Sequence, residues 1–207
     1  MKSILITGAG TGIGAATAKE LSADPGLRLI LVGRRLDKLE EVKSALQNAE
    51  NHVCLSADVS DAKELEQGLS KIDLANLQLC GVFANAGIGG ENTFGKADRW
   101  TEILDINLTG TYNTIMLCLP HLVRSQEAIT NIVITSSCLA KFGVPNYTAY
   151  CTSKAGLLGL TKSLAVEYAP KGVLVNAICP GWVDTEMARA AIQKLADRAA
   201  ITYEKSL

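Results

Sequence analysis

Thr7-Gly8-Ala9-Gly10-Thr11-Gly12-Ile13-Gly14 decides how this chain is read, because it joins the apolar run Ile4-Leu5-Ile6 to the helix-forming Ala15-Ala16-Thr17-Ala18-Lys19-Glu20-Leu21. A turn without Cβ atoms lets backbone N–H groups close round a pyrophosphate, and the positive end of the following helix points at it. Gly8, Gly10, Thr11, Gly12, Ile13 and Gly14 are therefore the candidate phosphate-binding residues. A flexible reversal would use glycine as well. The spacing is G-x-x-x-G-x-G, whereas G-x-G-x-x-G would need glycine where Ile13 stands, so the loop by itself names no family.

Working outward, the apolar run over residues 27–32 reads as a parallel strand covered on both faces, and it ends at Gly33-Arg34-Arg35. About 20 residues past such a glycine turn, an acid accepts from a ribose 2'-hydroxyl and an arginine accommodates a 2'-phosphate. Arg34 and Arg35, with no acid before Asp37, favour NADP(H) over NAD(H). Two arginines opening a solvated helix, with Leu36, Leu39, Val42 and Leu46 as its buried stripe, is the plainer alternative. Residues 52–55 form a third strand, which His52 begins as a polar edge residue without a role. Asp58 then serves either an adenine amine or only a turn, and Ser60 or Asp61 caps the next helix. A fourth strand, 80–84, ends at Asn85-Ala86-Gly87. A long helix over 96–119 carries Asn107 beside Gly110, a poor helical choice that points to a kink serving a site. Strands over 131–135 and 173–178, and helices over 148–168 and 187–200, complete six strands alternating with helices. The expected fold is α/β: one doubly wound, Rossmann-like parallel sheet in a single domain spanning 1–207.

The 207 residues, 48% hydrophobic, are enough for one well-buried domain. With 20 basic and 21 acidic residues mixed along the chain, there is no electrostatic footprint for nucleic acid or a membrane surface. Six scattered cysteines without a Cys-x-x-Cys pair read as buried or half-buried thiols, with no metal site, in a reducing, cytoplasmic setting. The N-terminus shows neither a signal-peptide core nor a membrane span.

Tyr150 and Lys154 lie four apart on one helix and so share a face. An ammonium near a phenol stabilises the phenolate and lowers its pKa from about 10, so the pair can move a proton. Ser137, ending the preceding strand, can hold a carbonyl or hydroxyl oxygen beside that phenol.

Thr7-Gly8-x-x-x-Gly12-Ile13-Gly14, Asn85-Ala86-Gly87, Asn107, Ser137, Tyr150-x-x-x-Lys154 and Pro180-Gly181, in this order and spacing, resemble the classical short-chain dehydrogenase/reductase family over nearly the whole chain. The resemblance implies that Tyr150 is general acid in reduction and base in oxidation, and that Lys154 binds the nicotinamide ribose and lowers the tyrosine pKa. It further implies that Ser137 positions the substrate oxygen and Asn107 holds a water in a proton relay. Asp58 and Val59 would meet the adenine, Asn85 and Gly87 would line the cofactor cleft, and Val183 and Thr185 would touch the nicotinamide amide. Arg34 matches an NADP-type subclass, while Thr11 departs from the basic residue many NADP-preferring members carry there. Family members usually continue into a further helix and a seventh strand. This chain stops at Ser206-Leu207, so a fragment or a naturally short form is expected, with the C-terminal end of the family fold absent. Ala149, Ala155, Gly156 and Gly159 permit close helix approach in a homo-dimer or homo-tetramer.

The residues thus point to an NADP(H)-dependent reductase of ketones or secondary alcohols, a 3-oxoacyl-type substrate favoured. Cys138, Leu139, Phe142, Tyr147, Trp182 and Met187 are the candidate apolar pocket. The alternatives are an NAD-linked alcohol dehydrogenase of the same fold and a dinucleotide-binding sensor without turnover.

Overall fold

A computed structural model describes residues 1–72, 74, 78–96, 98–122, 129–199 and 201–203. The six strands among them are β1 (Lys2–Thr7), β2 (Leu27–Gly33), β3 (Val53–Ser56), β4 (Leu79–Ala84), β5 (Thr130–Thr135) and β6 (Val173–Ile178). All pair in parallel, in the order β3-β2-β1-β4-β5-β6. Between them run the helices α1 (Gly12–Leu21), α2 (Leu36–Ser44), α3 (Ala62–Ser70), α4 (Trp100–Leu104), α5 (Gly110–Cys118) and α6 (Thr148–Tyr168), with α7 (Glu186–Ala199) after β6. Strand order reverses between β1 and β4, which opens a crevice at the carboxyl ends of the strands where ligands of such sheets bind.

Side chains alternate across a strand, so a run buried on both sides must feed two cores. In β2, Ile30 and Val32 join Leu5, Leu65, Ile115, Ile132 and Leu157 under α3, α5 and α6. Leu29 and Leu31 join Ile6, Ala18, Leu39 and Phe83 under α1 and α2. The two edge strands differ from this pattern. In β6, Val173 and Val175 are buried, but Leu174 and Ile178 are 42% and 39% exposed and Cys179 is exposed, where a buried or half-buried thiol was expected. Among the described residues no strand or helix covers that face, and no seventh strand is present.

Other expectations shift with tertiary context. Leu36 is exposed and α2 ends at Ser44, so its buried side reduces to Leu39 with Val42 half-buried, and Leu46 is buried just beyond the helix. His52 is 2% exposed: its Nδ1 accepts from Leu29 N (3.1 Å) and its Nε2 donates to Gln47 O (2.9 Å), closing the edge of β2. Asp61, not Ser60, caps α3 by accepting from Lys63 N and Glu64 N. The helix expected over 96–119 begins only at Trp100 and passes through a π-turn at Asp105–Thr109, which holds Asn107. Ala97, Ala200, Ser206 and Leu207 lie outside the described residues.

Candidate active site

The carboxyl edge of the sheet gathers the predicted residues in a line. Thr7, ending β1, stitches the crevice: its Oγ1 accepts from Asn85 N (3.0 Å) and Ala86 N (3.0 Å), and its carbonyl accepts from Asn85 Nδ2 (3.1 Å). Those two N–H groups fill both lone pairs of one hydroxyl, so β1 and β4 are locked at their ends. The turn that follows is as tight as its glycines imply. Gly8 and Gly12 have φ of +66° and +54°; a Cβ on Gly8 would sit 2.9 Å from Ala86 Cα, and one on Gly14 would run into the Gly8 carbonyl oxygen. Thr11 stands at the N-cap of α1 but makes no side-chain cap, which leaves the helix's first N–H groups to a ligand's oxygens.

At the outer end of the line, Arg34 Nη1 lies 3.8 Å from Asp58 Oδ2, and both side chains reach solvent. Asp58 Oδ1 accepts from Ser60 N (2.9 Å) and Ser60 Oγ (2.7 Å), so the turn role is real and one carboxylate oxygen faces Arg34. Arg35 is exposed at the N-cap of α2. The Val59 side chain is buried, a Cβ on Gly110 would clash with it, and its carbonyl accepts from Asn113 Nδ2 (3.2 Å), so its contact with a ligand falls to its main chain.

At the other end, Ser137, Tyr150, Lys154 and Asn107 come together. The Ser137 hydroxyl hydrogen-bonds the Tyr150 phenol and accepts from Leu139 N (3.1 Å). Lys154 Nζ stands 5.7 Å from the Tyr150 ring centroid, is 4% exposed, and donates to Thr135 O (2.8 Å). Thr135 Oγ1 in turn donates to Asn85 Oδ1 (3.1 Å), which links α6 to the crevice between β1 and β4. Asn107 is fully buried; its Oδ1 accepts from Ile88 N (2.8 Å), and its Nδ2 donates to Ile88 O (3.0 Å) and Ser153 Oγ (3.1 Å). With the Nδ2 donors spent on protein, Asn107 serves first as a clamp between the end of β4 and α6. A Cβ on Gly87 would lie 3.1 Å from Asn107 Oδ1 and 3.4 Å from Lys154 Nζ, so the glycine keeps open the space between crevice and catalytic pair.

The expected electrostatics are corrected here. Burial pushes the Tyr150 phenol above its ordinary value, with the Ser137 hydrogen bond pulling the other way. Burial also brings Lys154 down to about 8. The reason is desolvation, which penalises both charged forms and, for the phenol, outweighs the Ser137 hydrogen bond. Tyr150 is therefore a protonated acid at neutral pH.

The apolar pocket is only partly where residue type placed it. Met187 Sδ lies 3.1 Å from a Cβ position on Gly89, itself 4.0 Å from Tyr150 Cε2, so Met187 and Tyr150 both border Gly89. Tyr147 meets the Tyr150 ring edge-on at 6.2 Å. Leu139 and Phe142 line a cavity of about 320 Å³ with Cys151, Cys138 is half-buried, and Trp182 is 65% exposed. A larger cavity, about 640 Å³, is walled by Asn92, Thr93, Phe94, Asp98, Trp100, Thr101, Asn146 and Thr148, which sequence reasoning missed. Neither Ser137 nor Tyr150 lines either cavity. Val183 is 39% exposed, and Thr185 places its methyl 3.2 Å from a Cβ position on Gly12, closing over the glycine turn. Thr7, Thr135 and Asn92 were also missed. The one sequence signal for the first two is a hydroxyl ending an apolar strand.

A sequence profile of the short chain dehydrogenase family matches residues 2–196. Oxidoreductase UcpA of Salmonella typhimurium is 37% identical over 195 residues, covering 91% of this chain and 72% of that protein. The 3-oxoacyl-[acyl-carrier-protein] reductase FabG of Staphylococcus aureus is 31% identical over 201 residues, covering 95% and 80%. Among solved structures, levodione reductase superimposes with a TM-score of 0.86 at 32% identity, covering 99% of this chain and 80% of that one. An actinorhodin polyketide ketoreductase solved with NADPH superimposes with 0.88 at 29%, covering 99% and 79%.

Proposed function

The chain belongs to the short-chain dehydrogenase/reductase family and is an oxidoreductase, and from that premise we propose that it is an NADP(H)-dependent reductase of ketones, reversible towards secondary alcohols, with a 3-oxoacyl-type substrate. The observation that carries this is the Ser137–Tyr150 hydrogen bond beside a buried Lys154. Likeness to a 3-oxoacyl reductase and a polyketide ketoreductase supports the substrate class.

The residues present fit a dinucleotide. The glycine turn and the uncapped start of α1 would hold the pyrophosphate, Asp58 and the Val59 main chain the adenine, Arg34 and Arg35 a 2'-phosphate, and Asn85, Gly87, Tyr150, Lys154, Val183 and Thr185 the nicotinamide half. With roughly 4.8 Å between strands, the end of β3 lies on the order of 20 Å from the end of β5, a span suited to two linked nucleotides. When bound, the cofactor supplies or accepts a hydride. The chain does the rest. Ser137 turns its proton from the phenol to the substrate oxygen, with the Leu139 N–H polarising its hydroxyl. Tyr150 donates its proton to the same oxygen as negative charge builds there. Lys154, held by Thr135 O, offers ammonium protons to a ribose and, at about 8, exchanges a proton near neutral pH. A water relay at Asn107 would use its main-chain carbonyl, which accepts from Thr111 Oγ1 (2.8 Å), or the remaining lone pair of Oδ1.

The one domain is read as working in a cytoplasmic setting, with all six cysteines free; among the described residues, no helix is long and apolar enough to cross a membrane. A homo-dimer or homo-tetramer is supported by exposed Trp100, Tyr112 and Val166 on α4, α5 and α6. Of the small residues expected to permit helix approach, Ala155 and Gly159 face outward, whereas Ala149 is buried and Gly156 packs on Leu108.

The NAD-linked alternative keeps one observation in its favour, since the Arg34–Asp58 pairing competes with a phosphate for the guanidinium. The test is turnover of NADPH or NADH with a panel of ketones that includes an acetoacetyl thioester. Arg34→Asp is expected to raise the KM for NADPH about 100-fold, through loss of charged hydrogen bonds worth about 1.5–3 kcal/mol and new repulsion, while the KM for NADH falls. Equal use of both cofactors before and after the change would sink the NADP assignment, and no turnover on any ketone would sink the substrate class.

A further inference from the structure

The helix that carries Tyr150 and Lys154 begins without help from its own N-cap. Tyr147 occupies that position and makes no side-chain cap hydrogen bond, and Asn146 before it is left-handed at φ +65°. One orphan donor of the first turn, Ala149 N, is met instead from a distant loop. Asn92 Oδ1 accepts from Ala149 N (2.8 Å) and from Thr148 Oγ1 (3.0 Å), while Asn92 N donates to Asn146 O (2.8 Å). The amide orientation is dictated, because Ala149 N–H can only donate. Asn92 Nδ2 donates to Asp98 Oδ1 (3.2 Å), and that same oxygen accepts from Trp100 N (3.0 Å) at the start of α4. Asn92 is 9% exposed and Ala149 fully buried, so the bond between them is shielded from water, whereas Asp98, Trp100 and Thr148 reach solvent.

We infer that Asn92 is a positioning residue for the reaction: by capping α6 from the loop after β4, with Asp98 orienting its amide, it fixes where the Tyr150 phenol stands relative to Ser137. Tyr150 follows the capped Ala149 by one residue, and Ser137 belongs to the separate turn after β5, so a tilt of the first turn of α6 moves one oxygen against the other. The same loop is tied down at Ile88 by Asn107 and at Gly89 O by Arg99 Nη1 (3.2 Å), so the cap refers the tyrosine to the wall of the cofactor crevice. The inference rests on the reductase reading only in taking Tyr150 as the acid.

The test uses the full chain with Asn92→Ala and with the double variant Asn92→Asp/Asp98→Asn, which keeps an acceptor for Ala149 N and, with the amide introduced at 98 turned so that its oxygen takes Trp100 N, gives its nitrogen to the new carboxylate. Two readouts are taken: kcat and KM for NADPH with an acetoacetyl thioester, and the Tyr150 ionisation in the protein alone, measured as phenolate absorbance against Tyr150→Phe. Asn92→Ala is expected to lower kcat at least about tenfold with an unchanged KM for NADPH, as a small misplacement of a reacting group does. Its Tyr150 ionisation should move down towards the ordinary value of about 10 as the phenol gains water. The double variant is expected to recover both. A folded Asn92→Ala with the parent's kcat and tyrosine titration overturns the inference, as does a double variant no better than the single one. Should Asn92→Ala fail to fold, a double variant that folds yet titrates and turns over unlike the parent overturns it equally. Should the parent not reduce the thioester, the substrate reading falls, while the tyrosine titration still decides this one.

Discussion

Tyr150→Phe is expected to lower kcat for ketone reduction about 1,000-fold, within the 10²–10⁴ that a positioned general acid contributes. The change removes one oxygen and little else. The phenyl ring keeps its edge-on contact with Tyr147 and its place beneath Lys154 Nζ, so the fold and cofactor binding should survive. Loss of the Ser137 hydrogen bond costs on the order of 1 kcal/mol of stability. In the parent, reduction uses the protonated phenol, which burial favours, so the reductive rate should first decline near pH 8 as the Lys154 ammonium is lost and fall further as pH passes the raised pKa of Tyr150. Alcohol oxidation needs the phenolate and should rise over the same range. A variant as active as the parent would remove Tyr150 from the mechanism.

Lys154→Met is expected to be nearly inactive and yet no less stable near neutral pH. A buried lysine brought down to about 8 binds its proton less tightly folded than unfolded, where the value is about 10.4. Between these values the unfolded chain holds one more proton, so the parent gains stability as pH rises through that window and bears the full cost below it. At 1.36 kcal/mol per pH unit, the cost is on the order of 3 kcal/mol, set against the lost hydrogen bond to Thr135 O, worth about 1–3 kcal/mol to a charged donor. Other groups act oppositely at high pH: burial pushes Cys54 to about 11 and Cys118 to about 12, so folding loses stability there as unfolded thiols ionise first. The useful quantity is therefore the stability of the parent minus that of Lys154→Met, measured by denaturant unfolding, where the cysteine contributions cancel. That difference should climb by a few kcal/mol from about pH 8 to about pH 10.4. A flat difference would mean that Lys154 is not buried as a neutral-prone amine.

The residues that could be read in advance are those whose partners lie nearby in the chain. The glycines of the turn at 8–14 follow from positive φ and close approach within a few residues, and the 150/154 pair from one turn of helix. The strand β2 follows from an apolar run only two covered faces explain. Asn107 was legible as a broken local rule, and the π-turn is that breakage, but its clamp on Ile88 was not. Asn92 gave no local signal, since its partners lie 56 and 57 residues away. Met187 and Trp182 were chosen by type alone, and both came out exposed, though Met187 still packs beside Gly89.

Composition, period and short-range stereochemistry thus sufficed for the alternation of strands and helices, the tight glycine turn and the one-turn pairing of Tyr150 with Lys154, because each depends on backbone geometry repeated over a few residues. Folding in three dimensions decided the protonation of that pair, the remote cap on its helix, and which apolar side chains reach the tyrosine. Those depend on desolvation and on hydrogen bonds between segments far apart along the chain, and neither quantity exists until the segments meet.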